Sequence, residues 1–315
     1  MDKLERELLI RVAKLYYFEG WTQSEIAKKV NKSRPIISKL LKQAKESNIV
    51  EIYIKDETIH TVGLERLIEK KYGLHEVIVV ATGDDGPDMI MRNIGKAAAE
   101  YIERRLEKIN SIGVSWGKSV HAVVEAIEYQ DKGHVHITPL IGGMGQYNVH
   151  YHSNHLTFQM AKKLNTSSSY LYAPAIVENM DLRNRIMSSK DVHDVLLKGK
   201  SVDLAIVGIG NPGYNATMNE LGYVSQEEQN SLIELGAVGD INSIFYDVNG
   251  NHVEHSLNYR TIGINLQDLK SIPEVIAVVS GCHKVEALHV ALKHKCLSTI
   301  VLDDVTAREL TLISN

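Results

Sequence analysis

The residues best suited to chemistry gather in glycine-rich turns. GVSWGKSV at 113–120 sets the hydroxyls of Ser115 and Ser119 and the ammonium of Lys118 at what reads as a helix start. GGMG (142–145), GIGNPG (208–213), GAVGD (236–240) and SGCHK (280–284) are turns of the same kind. Such turns cradle anions, because the first N–H groups of a helix have no partner within it and its dipole favours negative charge there. Five of them favour a small polar or phosphorylated ligand. Lys284 is then a natural phosphate partner, and Asp240 an acceptor suited to sugar hydroxyls. Asn154 can offer its amide to the same cleft. None of these turns carries the G-x-G-x-x-G or G-x-x-x-x-G-K-[ST] fingerprint, so no nucleotide cofactor is expected.

Other reactive side chains suggest less. His150, His152 and His155 are spaced so that two could share one face, as are His134 and His136, but no cysteine lies near them. They read as residues bordering the cleft and not as a metal site. Cys282 sits in a glycine turn without an evident base and reads as a small packed side chain; with Cys296 it makes two cysteines, too few for a disulfide framework. No Asp or Glu announces itself as a general base, so turnover is not expected.

A second chemistry is written in the charge. Residues 1–55 hold 12 Lys/Arg against 7 Asp/Glu, whereas the whole chain of 315 residues has a net charge of −4. Seven bases and no acid fall between Lys28 and Lys45. That is an electrostatic footprint for a polyanion. Beneath it the apolar spacing gives three helices. Residues 3–19 form the first, stopped by Gly20. Thr22 and Glu25 make a capping box for the second, whose Ile26, Ala27 and Val30 face inward. Asn31 takes the tight turn, since asparagine tolerates a left-handed backbone. Ser33 can cap the third helix, with Arg34 and Pro35 in its first turn and Ile37, Leu40, Leu41 and Ala44 buried. This is a helix-turn-helix. Its exposed residues are DNA candidates: Thr22, Gln23, Ser33 and Pro35 at the helix starts, Arg34 and Ser38 for base edges, Lys39 and Lys42 for phosphates. Ile49–Ile54 reads as a short strand or wing.

The elements that must position the first set of residues lie further along. Residues 56–72 read as an amphipathic helix ended by Gly73, placed to pair protomers. From Glu76 short apolar runs alternate with helical stretches: 77–81, 112–116, 135–142, 203–210, 275–281 and 299–304 as strands, 87–107, 117–129, 153–164, 284–295 and 305–313 as helices. That rhythm implies a mostly parallel sheet covered on both faces. An antiparallel element is expected in 244–264, where IFYDVNGNHV carries an Asn-Gly hairpin signal. The division is therefore a helix-turn-helix domain at 1–55, a linker or oligomerisation helix at 56–73 and an effector domain at 74–315. The N-terminus lacks the layout of a secretory signal, and no run reaches the roughly 20 apolar residues that span a bilayer. A cytoplasmic protein is expected.

In the order AKLYYFEGWTQSEIAKKVNKSRPIISKLLKQAKESNIV, IGVSWG, LIGG, LGYVSQEE, GAVGDI, FYDVNGN, RTIGI and SGCHKVEALHVALKHKCLSTIVLDD, the chain resembles the SorC/DeoR family of sugar-responsive transcription regulators. The resemblance implies a winged helix-turn-helix, an α/β effector domain related to sugar-phosphate isomerases and deaminases, operator DNA as partner, and a tetramer built as a dimer of dimers. It also implies a phosphorylated sugar or polyol held by Ser115, Gly117, Lys118, Ser119, Gly142, Gly143, Asp240 and Lys284. One branch of the family carries a lysine before the double glycine that bonds covalently to an aldehyde. Here Ile141 occupies that place, which excludes an imine at this site and favours non-covalent binding of a sugar or polyol phosphate.

Overall fold

The computed structural model describes residues 3–47, 49–50, 59–145, 148–213, 217–220 and 222–314. The chain divides into two compact units, Met1–Asp56 and Glu57–Asn315. The expected wing lies, beyond Val50, outside the described residues.

The small unit is three helices, α1 (Lys3–Tyr17), α2 (Gln23–Lys29) and α3 (Arg34–Glu46). They close over one core of Leu9, Val12, Ile26, Ala27, Ile37, Leu41 and Ala44. Thr22 and Glu25 form the capping box that starts α2. Asn31 has φ 51°, the left-handed geometry that turns the chain between α2 and α3. Ser33 holds the N-cap position of α3 in extended geometry, but its hydroxyl makes no capping bond. Proline in the first helical turn, where an N–H would be orphaned anyway, helps set that start instead. Val30 is half-buried, less inward than its spacing suggests.

The large unit opens with α4 (Ile59–Tyr72), then runs β1 (Glu76–Val80), α5 (Pro87–Glu103), β2 (Ser111–Val114), α6 (Lys118–Ala126), β3 (His136–Pro139) and α7 (Ser153–Lys163). Next come α8 (Met180–Ser188), α9 (Lys190–Lys200), β4 (Leu204–Gly208), α10 (Thr217–Glu220), α11 (Gln226–Glu234), β5 (Ala237–Ile241) and β6 (Ile244–Asp247). It finishes with α12 (Ser256–Arg260), α13 (Leu266–Lys270), β7 (Glu274–Val279), α14 (Val285–Lys293), β8 (Thr299–Asp303) and α15 (Asp304–Leu312). Six strands form one all-parallel sheet in the order β1-β8-β7-β4-β2-β3. Alternate residues of the strands divide between its two faces. On one, Val77, Val79, Ala205, Val207, Ala277, Ile300 and Leu302 meet Ile68, Leu196, Leu288 and Leu310 of the covering helices. On the other, Ile112, Val114, Ile137, Ile206, Ile276 and Val301 meet Ile94, Val120, Val124 and Leu156. Burial on both faces is why the central strands read as continuous apolar runs.

Both edges of the sheet are covered. Along β1 the outward N–H groups of Val77 and Val79 donate to Glu69 and Glu65 of α4 at 3.1 and 2.9 Å. Lys71 of α4 donates to the terminal carbonyls of α15, 2.6 Å from Ile313 O. So α4, within the segment expected as a linker or oligomerisation helix, packs as part of the large unit. Along β3, Ile137 exchanges backbone bonds with Ser167 and Ser169.

The antiparallel element differs from expectation. GAVGD, read as a turn, instead contributes Ala237–Asp240 to strand β5, paired with β6. Their hairpin turns at Asn242 and Ser243, both left-handed at φ 54° and 58°. The Asn249-Gly250 signal does mark a tight turn, Gly250 having φ 69°, but only the single bridge from Tyr246 to His252 follows it. Gly239 serves packing: a Cβ there would lie 2.4 Å from that of Ala287.

Candidate functional site

The chain leaves β2 toward β3 and leaves β4 toward β7, in opposite directions across the sheet. Between strands whose connections part in this way a crevice opens beyond their carboxyl ends, and ligands of open α/β sheets bind there. Here that crevice is an inner cavity of about 100 Å³. The turn after β2 and the start of α6 supply Ser115, Gly117, Lys118 and Ser119; the end of β4 and the turn after it supply Gly208, Gly210 and Asn211; β5 and its hairpin turn supply Asp240 and Asn242; Lys284 comes from the turn after β7.

Local geometry explains the residue types. Gly117 caps α6 with φ 108°, open to glycine and strained for other residues. Behind it the first-turn N–H groups of α6, a nine-residue helix, point without intrahelical partners. A single 3-10 turn, Cys282–Lys284, leads into α14 and puts Lys284 at that helix's N-cap. Gly208 leaves room for the Ser119 hydroxyl, 3.1 Å from where a Cβ would stand. Ser115 Oγ donates to Asn242 Oδ1 at 2.6 Å, and Asn242 Nδ2 donates to Ile264 O.

Asp240 is the electrostatic centre. Its backbone pairs with Gly210 in both directions, and its carboxyl lies directly over that glycine. The Ser243 N–H donates to Oδ2 at 3.2 Å. Burial pushes its pKa up to about 7, opposed by the Ser243 N–H and by the nearby Lys284 ammonium. Near neutral pH this group can therefore accept or donate a hydrogen bond.

The cavity opens into a vestibule of about 850 Å³, which shares Met91, Lys118 and Lys284 with it. The vestibule runs between the first turns of α5, with Arg92, and the face of α6 that carries His121 and Glu125. Gly95 packs α5 closely onto α6, where a Cβ would come within 2.6 Å of the Ala122 backbone. His121 stands edge-on to His150 and Tyr151. Burial lowers its pKa against the pull of Glu125.

Six of the nine expected ligand residues thus line one cavity: Ser115, Gly117, Lys118, Ser119, Asp240 and Lys284. The other three are committed elsewhere. Gly142 and Gly143 let the chain lie against Ala173 and Pro174, where a Cβ on Gly142 would come within 2.6 Å of backbone. Asn154 spends its amide on the Leu171 backbone, donating to its O and accepting from its N–H, each at 2.9 Å. Sequence reasoning passed over Asn211, Asn242, Arg92 and His121. Asn211 lay within the GIGNPG turn and Asn242 in the turn-forming Asn-Ser pair after Ile241, whereas Arg92 and His121 had no local signal.

The histidines have separate tasks. His152 bonds Tyr223, His134 the Leu106 carbonyl, and His136 both Ser167 and Ser169. No group of three or more candidate ligands able to hold a metal occurs among the described residues. On the small unit Thr22, Ser33, Arg34, Pro35, Ser38, Lys39 and Lys42 are exposed and Gln23 half-exposed. Among the described residues no helix is long and apolar enough to cross a membrane.

Comparison with known proteins bears on both units. The family model described as "Putative sugar-binding domain" matches residues 56–311. The deoxyribonucleoside regulator of Bacillus subtilis (strain 168) is 32% identical over 310 residues, covering 98% of this chain and 99% of that one. The full-length sorbitol operon regulator SorC from Klebsiella pneumoniae superposes with a TM-score of 0.76 at 31% identity, over 99% of both chains. A DeoR family transcriptional regulator from Listeria monocytogenes, also at TM-score 0.76, is 37% identical and covers 79% of this chain and 99% of its own.

Proposed function

The chain belongs to the SorC/DeoR family of transcriptional regulators, and from that premise we propose that it controls a carbohydrate catabolic operon in response to a phosphorylated sugar or polyol. The small unit reads operator DNA: Arg34 and Ser38 address base edges, and Lys39 and Lys42, with Thr22, Gln23, Ser33 and Pro35 around them, hold the backbone. In the large unit the phosphate lies between Lys118 and Lys284 at the start of α6. The hydroxyls of the effector enter the inner cavity toward Ser115, Ser119 and Asp240. The place where one branch of the family carries its imine-forming lysine is Ile141 here, which favours non-covalent binding. The protein works in the cytoplasm as a dimer of dimers, whose paired small units grip two half-sites so that the second contact is intramolecular.

The observation that carries this reading is the meeting of two lysines from two helix starts at one cavity floored by a buried carboxyl. A cation pair fits a phosphate, and a carboxyl near its pKa fits a hydroxyl. A thermal-shift screen of phosphorylated sugars and polyols tests it. A ligand at 100 times its Kd adds about 2.7 kcal/mol to the native state and raises the melting point. If no member of the panel stabilises the protein, the reading fails.

A further inference from the structure

One polar atom in the inner cavity has no assigned task. Asn211 lines it, and its side-chain Oδ1 is buried with no hydrogen-bond partner. The orientation of the amide is fixed, because Nδ2 donates to the His283 carbonyl at 3.1 Å and a carbonyl can only accept. Oδ1 is therefore an acceptor and cannot trade places with Nδ2. Buried acceptors normally find a donor, and one left bare beside a cavity marks where a donor is missing. Next to it in the chain is Gly210, over which the Asp240 carboxyl lies. Asn211 and Asp240 thus place acceptor oxygens in the cavity, which shares its cationic donors, Lys118 and Lys284, with the vestibule.

We propose that Asn211 is a specificity-determining residue that accepts a hydrogen bond from a hydroxyl of the effector, while the phosphate meets Lys118 and Lys284. This rests on the sugar-phosphate reading above and deepens it. A phosphate set against Asn211 would bring acceptor to acceptor and leave Oδ1 bare. A hydroxyl donates to Oδ1 and fills it. The effector class is accordingly a phosphorylated polyhydroxy compound, with at least one free hydroxyl remote from its phosphate.

The test uses full-length protein, wild type and Asn211→Ala, titrated calorimetrically with inorganic phosphate and with sorbitol 6-phosphate, fructose 6-phosphate, ribose 5-phosphate and 2-deoxyribose 5-phosphate. Expected is a loss of about 2- to 12-fold in affinity of Asn211→Ala for the best sugar phosphate, the worth of one neutral hydrogen bond. Inorganic phosphate, which reaches only the lysines, should bind both proteins alike. Asn211→Ser, which keeps an acceptor oxygen, should recover part of the loss and serves as the readout if the alanine variant does not fold. Equal affinities of wild type and both variants for the best sugar phosphate would overturn the role of Asn211 and leave the sugar-phosphate reading standing. A parallel loss for inorganic phosphate would also overturn it, since the substitution would then be disturbing the phosphate end. Failure of all four sugar phosphates to bind wild type would instead overturn the sugar-phosphate reading, and the Asn211 assignment with it.

Discussion

Replacing Asp240 by asparagine should make the unliganded protein less sensitive to alkali. The carboxyl has an ordinary pKa of 3.8 and is raised by burial to about 7 in the folded chain. Between these values the unfolded chain has released the proton that the folded chain still holds. Stability then falls as pH rises, by about 1.4 kcal/mol per unit, and levels off above the folded pKa. Over the whole window the loss is about 4 kcal/mol, large against the 5–15 kcal/mol typical of a domain. Asparagine cannot ionise and still accepts from the Ser243 N–H, so the variant escapes this slope. Urea unfolding at half-unit steps from pH 4.5 to 8.5 measures it. The chain has two tryptophans, and in a Trp21→Phe background Trp116, which lines the cavity, reports on the large unit alone. The stability of Asp240→Asn relative to its parent should climb with pH and flatten near pH 7 to 8. A difference that stays constant from pH 5 to pH 8 would show that Asp240 is ionised throughout, and the account of the cavity as a nearly neutral acceptor would be wrong.

Other substitutions probe the remaining contacts. Gly210→Ala places a Cβ 2.0 Å from Asp240 Oδ1; it should cost about 1–3 kcal/mol by overpacking and remove ligand-induced stabilisation, both visible in melting curves. Lys284→Ala should weaken a phosphorylated effector by about 10- to 150-fold, the worth of a charged hydrogen bond, while fluorescence anisotropy finds DNA affinity without effector unchanged. Arg34→Ala should relax base preference. Lys39→Ala should weaken all DNA sequences alike and lower the slope of log K against log salt by about one, as salt titrations of binding would reveal.

Much of this architecture is legible in the sequence because its signals are local. The six parallel strands announce themselves since burial on both faces demands unbroken apolar runs such as VIAVV and TIVLD. The capping box at Thr22 and the left-handed Asn31 are equally local. What stayed hidden depends on partners distant in the chain. GAVGD reads as a turn because glycine is its commonest residue, yet Gly239 is there to admit Ala287 and Tyr246 from elsewhere. Helices α8 and α9 escaped because their apolar faces are short and interrupted by charge. Asn154 has the chemistry of a ligand group, and only the fold reveals that the Leu171 backbone claims it. Asn211 is the reverse case, an unremarked residue of a glycine turn whose importance lies in a bond it does not make.

The inner cavity also lies on a seam. Trp116 and Met218, at its wall, belong to a minor hydrophobic cluster with Phe245, Val253 and Leu257, whereas Ile209 belongs to the core on one face of the main sheet. A molecule seated there touches both bodies at once and works as a rivet. Riveting needs no large movement to be felt: a filled cavity ties the β5–β6 hairpin to the ends of β2 and β4, and slower amide exchange would spread through that hairpin well beyond the atoms in contact.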